Sequence, residues 1–147
     1  MKNMKKKLVS VLLVLIMVAC LFPAYAFADF GGPDTATTMS ANLTYSFYDW
    51  DANVNISVPS TAICSKTQNR ISSYTKAAQC ALYDISDDWQ ITSMNPGYPD
   101  GIYGDNTWNA VYNYQYQKYR QGYLDARYVD GDTGPKTWPF LKGDYRY

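Results

Sequence analysis

Histidine and glutamate are both missing from these 147 residues, so every acidic side chain is an aspartate. Without histidine there is no Ser–His or Cys–His nucleophile pair and no His-ligated zinc. Without glutamate, a glycosidase would need a pair of aspartates, one of them raised in pKa by burial. No such pair stands out, so the inventory reads as a protein that is not an enzyme. Cofactor motifs and metal-ligand sets are likewise missing, and none is expected. Long apolar runs are scarce too. Leu8 to Phe22 is shorter than the roughly 20 residues a membrane span requires.

That short run has a meaning of its own. Lys2, Lys5, Lys6 and Lys7 precede it, and Ala24-Tyr25-Ala26-Phe27-Ala28 follows it. A basic start, a short apolar stretch and small residues at cleavage spacing make up a secretory signal peptide. Residues 1–28 are therefore expected to be removed, giving a secreted, extracellular chain with no membrane span. A retained anchor, or a lipoprotein lipidated at Cys20, are the alternatives. The leader carries four of the thirteen basic residues, which leaves nine against thirteen aspartates and a net charge of −4. That balance argues against nucleic acid as a partner, whose binding rests on clustered cations.

Two cysteines remain, Cys64 and Cys80. An even pair in an exported chain reads as a disulfide, with two free thiols as the alternative. Such a bond would stabilise by about 3 kcal/mol in the chain-entropy model. A straight helix over 64–80 would hold its ends roughly 24 Å apart, against about 5–6 Å for bridged Cα atoms. A bond would require the chain to double back, with Ser72-Ser73 the place for it.

Residues 29–63 read as an N-terminal extension. Leu43, Tyr45 and Phe47 alternate with polar residues, as do Val54, Ile56 and Val58, with Asp49–Asn53 between them; the pattern is that of a β-hairpin. Residues 64–147 read as mainly α. Ser72 or Ser73 can cap a helix through Tyr74, Ala77, Ala78, Ala81, Leu82 and Ile85. A loop is expected from Asp84 to Pro99. Asp105 can cap a second helix, about Asn106 to Arg120, and Gly134-Pro135 can start a short third one that Pro139 keeps short.

One repeat organises this region. Asp100-Gly-Ile-Tyr-Gly104-Asp-Asn-Thr107-Trp108 returns as Asp130-Gly-Asp-Thr-Gly134-Pro-Lys-Thr137-Trp138. The shared pattern is Asp-Gly-x-x-Gly-x-x-Thr-Trp. Asp-Gly makes a tight turn with Gly free to take positive φ. The second Gly turns the chain into a helix, and the Trp anchors the corner on the core. Alternating Asp130 and Asp132 hint at a calcium loop, but the bidentate Glu of such a loop is missing.

On these residues the chain, over about 70–142, resembles the type 1 peptidoglycan-binding domain family. Asp100, Gly101, Tyr103, Gly104 and Thr107 match its first turn; Ala110-Val111 and Tyr114-Gln115 match its helix, with Tyr replacing Phe. Asp130, Gly131, Gly134, Pro135, Thr137, Trp138 and Leu141 match its second turn. Gln79 and Leu82 fall on its Leu-Gln-x-x-Leu positions, with Ala78 replacing the first Leu. The stretches 83–98 and 117–129 are longer than the family pattern, which bears on the shape of a groove more than on the fold.

The resemblance implies a small three-helix domain that holds peptidoglycan, or muropeptides from it, without cutting it. A cell-wall hydrolase is a candidate partner. Ligand contacts are expected near the first turn, from Tyr98, Tyr103, Asp105, Asn106, Trp108, Asn109 and Tyr112, since sugar rings pair apolar faces with a polar edge. Structural alternatives stand beside these: Trp108 and Trp138 as core anchors, Asp100 and Asp130 as turn formers, and Tyr98 and Tyr103 open between core and platform. A dense tyrosine series (Tyr112, Tyr114, Tyr116, Tyr119, Tyr123, Tyr128) leaves some rings exposed, as recognition surfaces do. That keeps a secreted interaction protein for another protein or glycan as the second reading.

Overall fold

The hairpin forms where alternation places it. In the computed structural model, which describes residues 43–146, β1 (Thr44–Asp49) pairs antiparallel with β2 (Val54–Pro59). The register sets Tyr45 opposite Val58 and Phe47 opposite Ile56. The Asp49 carboxylate closes the turn by accepting from the amides of Asp51 and Ala52 at 3.1 and 3.2 Å, and Asn53 takes the left-handed conformation at φ 57°. The leader and Cys20 lie outside the described residues.

A two-stranded hairpin is marginal in water by itself; this one belongs to the core. Phe47 is fully buried, with its ring 5.6 Å from Trp138 and 5.5 Å from Tyr145. The Tyr145 hydroxyl donates to the Tyr48 carbonyl at 3.0 Å and accepts from the Tyr48 amide at 3.0 Å. The Trp138 indole donates to the Ala62 carbonyl at 2.8 Å. Residues on both sides of position 63 therefore share one hydrophobic cluster, and the hairpin packs into the same core as the helices.

Among the described residues three α-helices complete the fold: α1 (Ser73–Asp88), α2 (Asp105–Arg120) and α3 (Trp138–Asp144). Ser72 caps α1, accepting from the Thr75 amide at 3.1 Å. Its alanines at 77, 78 and 81 let neighbouring elements approach closely, while Leu82 and Ile85 fill the space between. α1 runs on to Asp88, into the expected loop, which is then broken only by a 3-10 turn at Thr92–Met94 that buries Met94.

Two helix starts differ from expectation. The cap of α2 is Gly104, with no side-chain bond, and Asp105 is the first helical residue. There its charge still favours the N-terminal dipole, but its carboxylate goes to Lys66 at 2.7 Å. The last helix begins at Trp138, after a turn over 134–137, and Pro139 sits in its first turn, where a missing N–H has no bond to lose.

The expected Cys64–Cys80 disulfide is not formed: both are free, buried thiols. Cys64 is fixed to the second corner by paired backbone bonds with Thr133, each 2.9 Å. Its thiol lies beside Ser72 and Thr75 at the start of α1. Cys80 sits five residues beyond Thr75, about 7.5 Å further along the axis and on another side of the helix. Burial pushes the two thiols up, to about 11 and about 12.

At the other end of α2, Lys118 is almost fully buried. Its ammonium pairs with Asp144 at 2.7 Å and lies within 5.1–5.9 Å of the ring centres of Trp89, Tyr114, Tyr123 and Phe140. The Tyr114 hydroxyl donates to the same carboxylate at 2.6 Å. A buried cation survives here because it has both a counter-ion and aromatic faces.

Candidate functional site

The two Asp-Gly corners are built alike around two buried glutamines, one on each long helix. Gln79 Nε2 donates to Asp100 Oδ1 (3.0 Å), the Ile102 carbonyl (3.1 Å) and Thr107 Oγ1 (2.9 Å), while its Oε1 accepts from the Gly101 amide at 2.7 Å. Gln115 repeats the pattern with Asp130 Oδ1 (3.1 Å), the Asp132 carbonyl (2.8 Å), Thr137 Oγ1 (3.0 Å) and the Gly131 amide (2.8 Å). Gly101 and Gly131 take φ of 77° and 78°. Each aspartate also accepts from the amide two residues on, at 2.8 and 2.9 Å. Asp100 and Asp130 are thus turn formers. Asp130 commits one oxygen, Oδ1, to the corner.

The corners interlock. Tyr103, expected as a ligand platform, is fully buried. Its hydroxyl donates to the Gly131 carbonyl at 2.7 Å and meets Thr133 Oγ1 at 3.3 Å. It ties the first corner to the second and cannot touch a ligand. The Trp108 indole lies directly on Gly131, stacks on Tyr112 at 5.3 Å and 19°, and has Lys66 Nζ 5.0 Å from its centre. Trp138 is fully buried.

Beside the first corner lies a groove of about 450 Å3, lined by Gln79, Tyr98, Asp100, Ile102, Asp105 and Asn106 among others. Of the expected contacts, Tyr98, Asp105 and Asn106 meet here. Tyr98 is 60% exposed, with Ile102 (41%) beside it, so an aromatic ring and an apolar side chain sit among amide and carboxylate groups. Lys66 beside Asp105 holds that carboxyl below its usual range. Asn109, Tyr112 and half-buried Trp108 follow on α2, outside the lining of the groove.

Sequence reasoning missed an aromatic cluster next to the groove. The Trp50 ring, at the hairpin tip, is edge-on to Tyr98 at 6.0 Å and 5.7 Å from Tyr83. With Tyr48 and Asp84, Trp50 and Tyr83 line a second recess, of about 300 Å3. The run Tyr45 to Trp50 is dense in aromatics, but its meeting with α1 depends on how the hairpin docks.

Among the described residues no group of three His, Cys, Asp or Glu is placed to hold a metal ion, and no helix is long and apolar enough to cross a membrane. Comparison with family models, with curated proteins and with solved structures finds no match.

Proposed function

We propose that the chain is a secreted, non-catalytic cell-wall-binding protein that holds peptidoglycan in the groove beside Tyr98, Asp100 and Asn106. The observation that carries this reading is the doubled corner, with Gln79 and Gln115 making equivalent bonds to two Asp-Gly turns. The same Asp-Gly-x-x-Gly-x-x-Thr pattern underlies the resemblance to the type 1 peptidoglycan-binding family. Tyr98 offers an exposed ring of the kind that stacks on sugar faces, and the amide and carboxylate groups around it suit hydroxyl and peptide partners. The absence of histidine and glutamate from the sequence favours holding over cutting.

Sedimentation with insoluble peptidoglycan, with and without soluble muropeptides as competitor, tests the proposal. The protein is expected in the pellet, released by the competitor and reduced by Tyr98→Ala. Retention in the supernatant at low and moderate salt would overturn it, and clearing of a wall suspension would overturn the non-catalytic part.

One observation favours a second reading, a secreted interaction protein. Tyr116, Tyr119 and Tyr123 are 44%, 45% and 60% exposed along the end of α2 and beyond it, a surface suited to a protein partner such as a wall hydrolase. Their substitution would then abolish partner binding and leave sedimentation with walls unchanged.

A further inference from the structure

The recess between the hairpin tip and α1 has a composition unlike the groove. Its lining is three aromatic rings, Tyr48, Trp50 and Tyr83, and one carboxylate, Asp84. Trp50 and Tyr83 face each other at 5.7 Å, tilted by 49°, and both stay more than a third exposed. They form an open aromatic wall, since neither is spent on the core.

Asp84 Oδ2 is shielded from solvent and has no hydrogen-bond partner among the described residues. Leaving such an oxygen unmatched costs about 1–3 kcal/mol or more. Elsewhere the fold supplies donors: Lys76 reaches Asp49 at 2.8 Å, Lys118 and Tyr114 reach Asp144, and turn amides reach Asp100 and Asp130. Asp88, one turn on from Asp84, pairs with Arg146 at 2.9 Å. Asp84 alone of these has no donor. Burial, then the charges of Asp88 and Asp87, push its carboxyl up to about 6.

Aromatic faces and a carboxylate without a protein donor are jointly complementary to an organic cation that carries N–H donors. Ring quadrupoles attract the positive charge, and the carboxylate accepts the N–H in a charge-assisted bond. We propose that this recess binds a primary ammonium group on a short alkyl chain, its N–H donated to the Asp84 carboxylate where it lines the recess and its methylenes against Trp50 and Tyr83. A quaternary ammonium has no N–H to donate, and an anion is repelled. About 300 Å3 suits a chain of a few methylenes. The inference goes beyond the wall-binding reading: it concerns the hairpin tip, and it holds whatever polymer lies in the neighbouring groove.

The test is a titration of the full chain at pH 8 and constant ionic strength with n-butylammonium, followed at the Trp50 indole N–H resonance. Tetramethylammonium and neutral N-butylacetamide are the comparison probes. A saturable shift is expected for n-butylammonium, with at least fivefold weaker effects from the other two. The Trp138 resonance, whose N–H is bonded to Ala62 in the core, should stay in place and report an intact fold. Binding, read from the Tyr83 ring signals, should be lost in Trp50→Ala, which removes an exposed side chain, and in Asp84→Asn. Absence of a saturable shift, equal binding of tetramethylammonium, or binding that survives Asp84→Asn overturns the proposal.

Discussion

Trp108 lies so close on Gly131 that a Cβ added to the glycine would come 2.3 Å from the indole Cε2 and Nε1. An indole from the first corner thus closes over the glycine that hinges the second. Because φ at Gly131 is 78°, an alanine there meets both backbone strain and a clash with a stacked ring. Gly131→Ala should destabilise by about 3 kcal/mol or more. Gly101→Ala, 3.2 Å from the Ser72 carbonyl, should cost about 2 kcal/mol, and Gly97→Ala, with open space around it, about 1 kcal/mol. Urea midpoints for the three variants check the order.

The glutamines should behave as a matched pair. Gln79→Leu and Gln115→Leu each strand a glycine amide and remove one bond from an aspartate oxygen and one from a threonine hydroxyl. Each change should cost about 2–4 kcal/mol. A loss confined to one of the two in chemical denaturation would show that the corners are not equivalent.

The corners were legible in the sequence because the chemistry that makes them is local: Asp bonding two residues on, Gly at positive φ, Thr in the following turn. Gln79 and Gln115 were placed only through the resemblance, since a buried amide bonded across elements leaves no local signature. Tyr103 looked like a platform by its place next to the turn. Its inward direction is set by the interlock with Gly131, a contact between residues far apart in sequence. The cysteines were misjudged for a similar reason, because pairing depends on which side of α1 each thiol meets. The hairpin followed from its alternation, but the docking that carries Trp50 to Tyr83 and Tyr98 did not. For α2, the cap moved from Asp105 to Gly104, where extended backbone alone ends the turn and Lys66 draws the carboxylate away.

The Lys118–Asp144 pair makes a prediction of its own. Asp144→Asn leaves a buried ammonium with aromatic faces but no counter-charge, and should cost about 3 kcal/mol. Lys118→Met paired with Asp144→Asn should recover much of that loss, because an apolar chain suits Trp89, Tyr114 and Phe140. Thermal denaturation of the single and double variants measures the coupling.

Asp84 gives the fold an acid-side signature. Its folded carboxyl is raised to about 6, above the unfolded value of about 3.9, so the folded state binds the proton more tightly. Its contribution is fully present below about pH 4 and is lost as pH rises through 6. Charged neighbours are Asp87 and Asp88 on α1, with Arg146 paired to Asp88; Tyr48 and Trp50 face it from the hairpin. Asp84→Asn should therefore be more stable than the parent at pH 7, by about 1 kcal/mol after discounting for water at the open side. The two should converge near pH 4. A difference independent of pH would assign the gain to another cause.

The most direct measurement is a map of amide shifts on adding a soluble muropeptide to the isotopically labelled protein. The account predicts that the largest changes cluster at Tyr98, Asp100, Ile102, Asp105 and Asn106, with the second corner at Asp130–Thr133 unmoved. Changes centred on Tyr116, Tyr119 and Tyr123, or none at all at millimolar ligand, would contradict it.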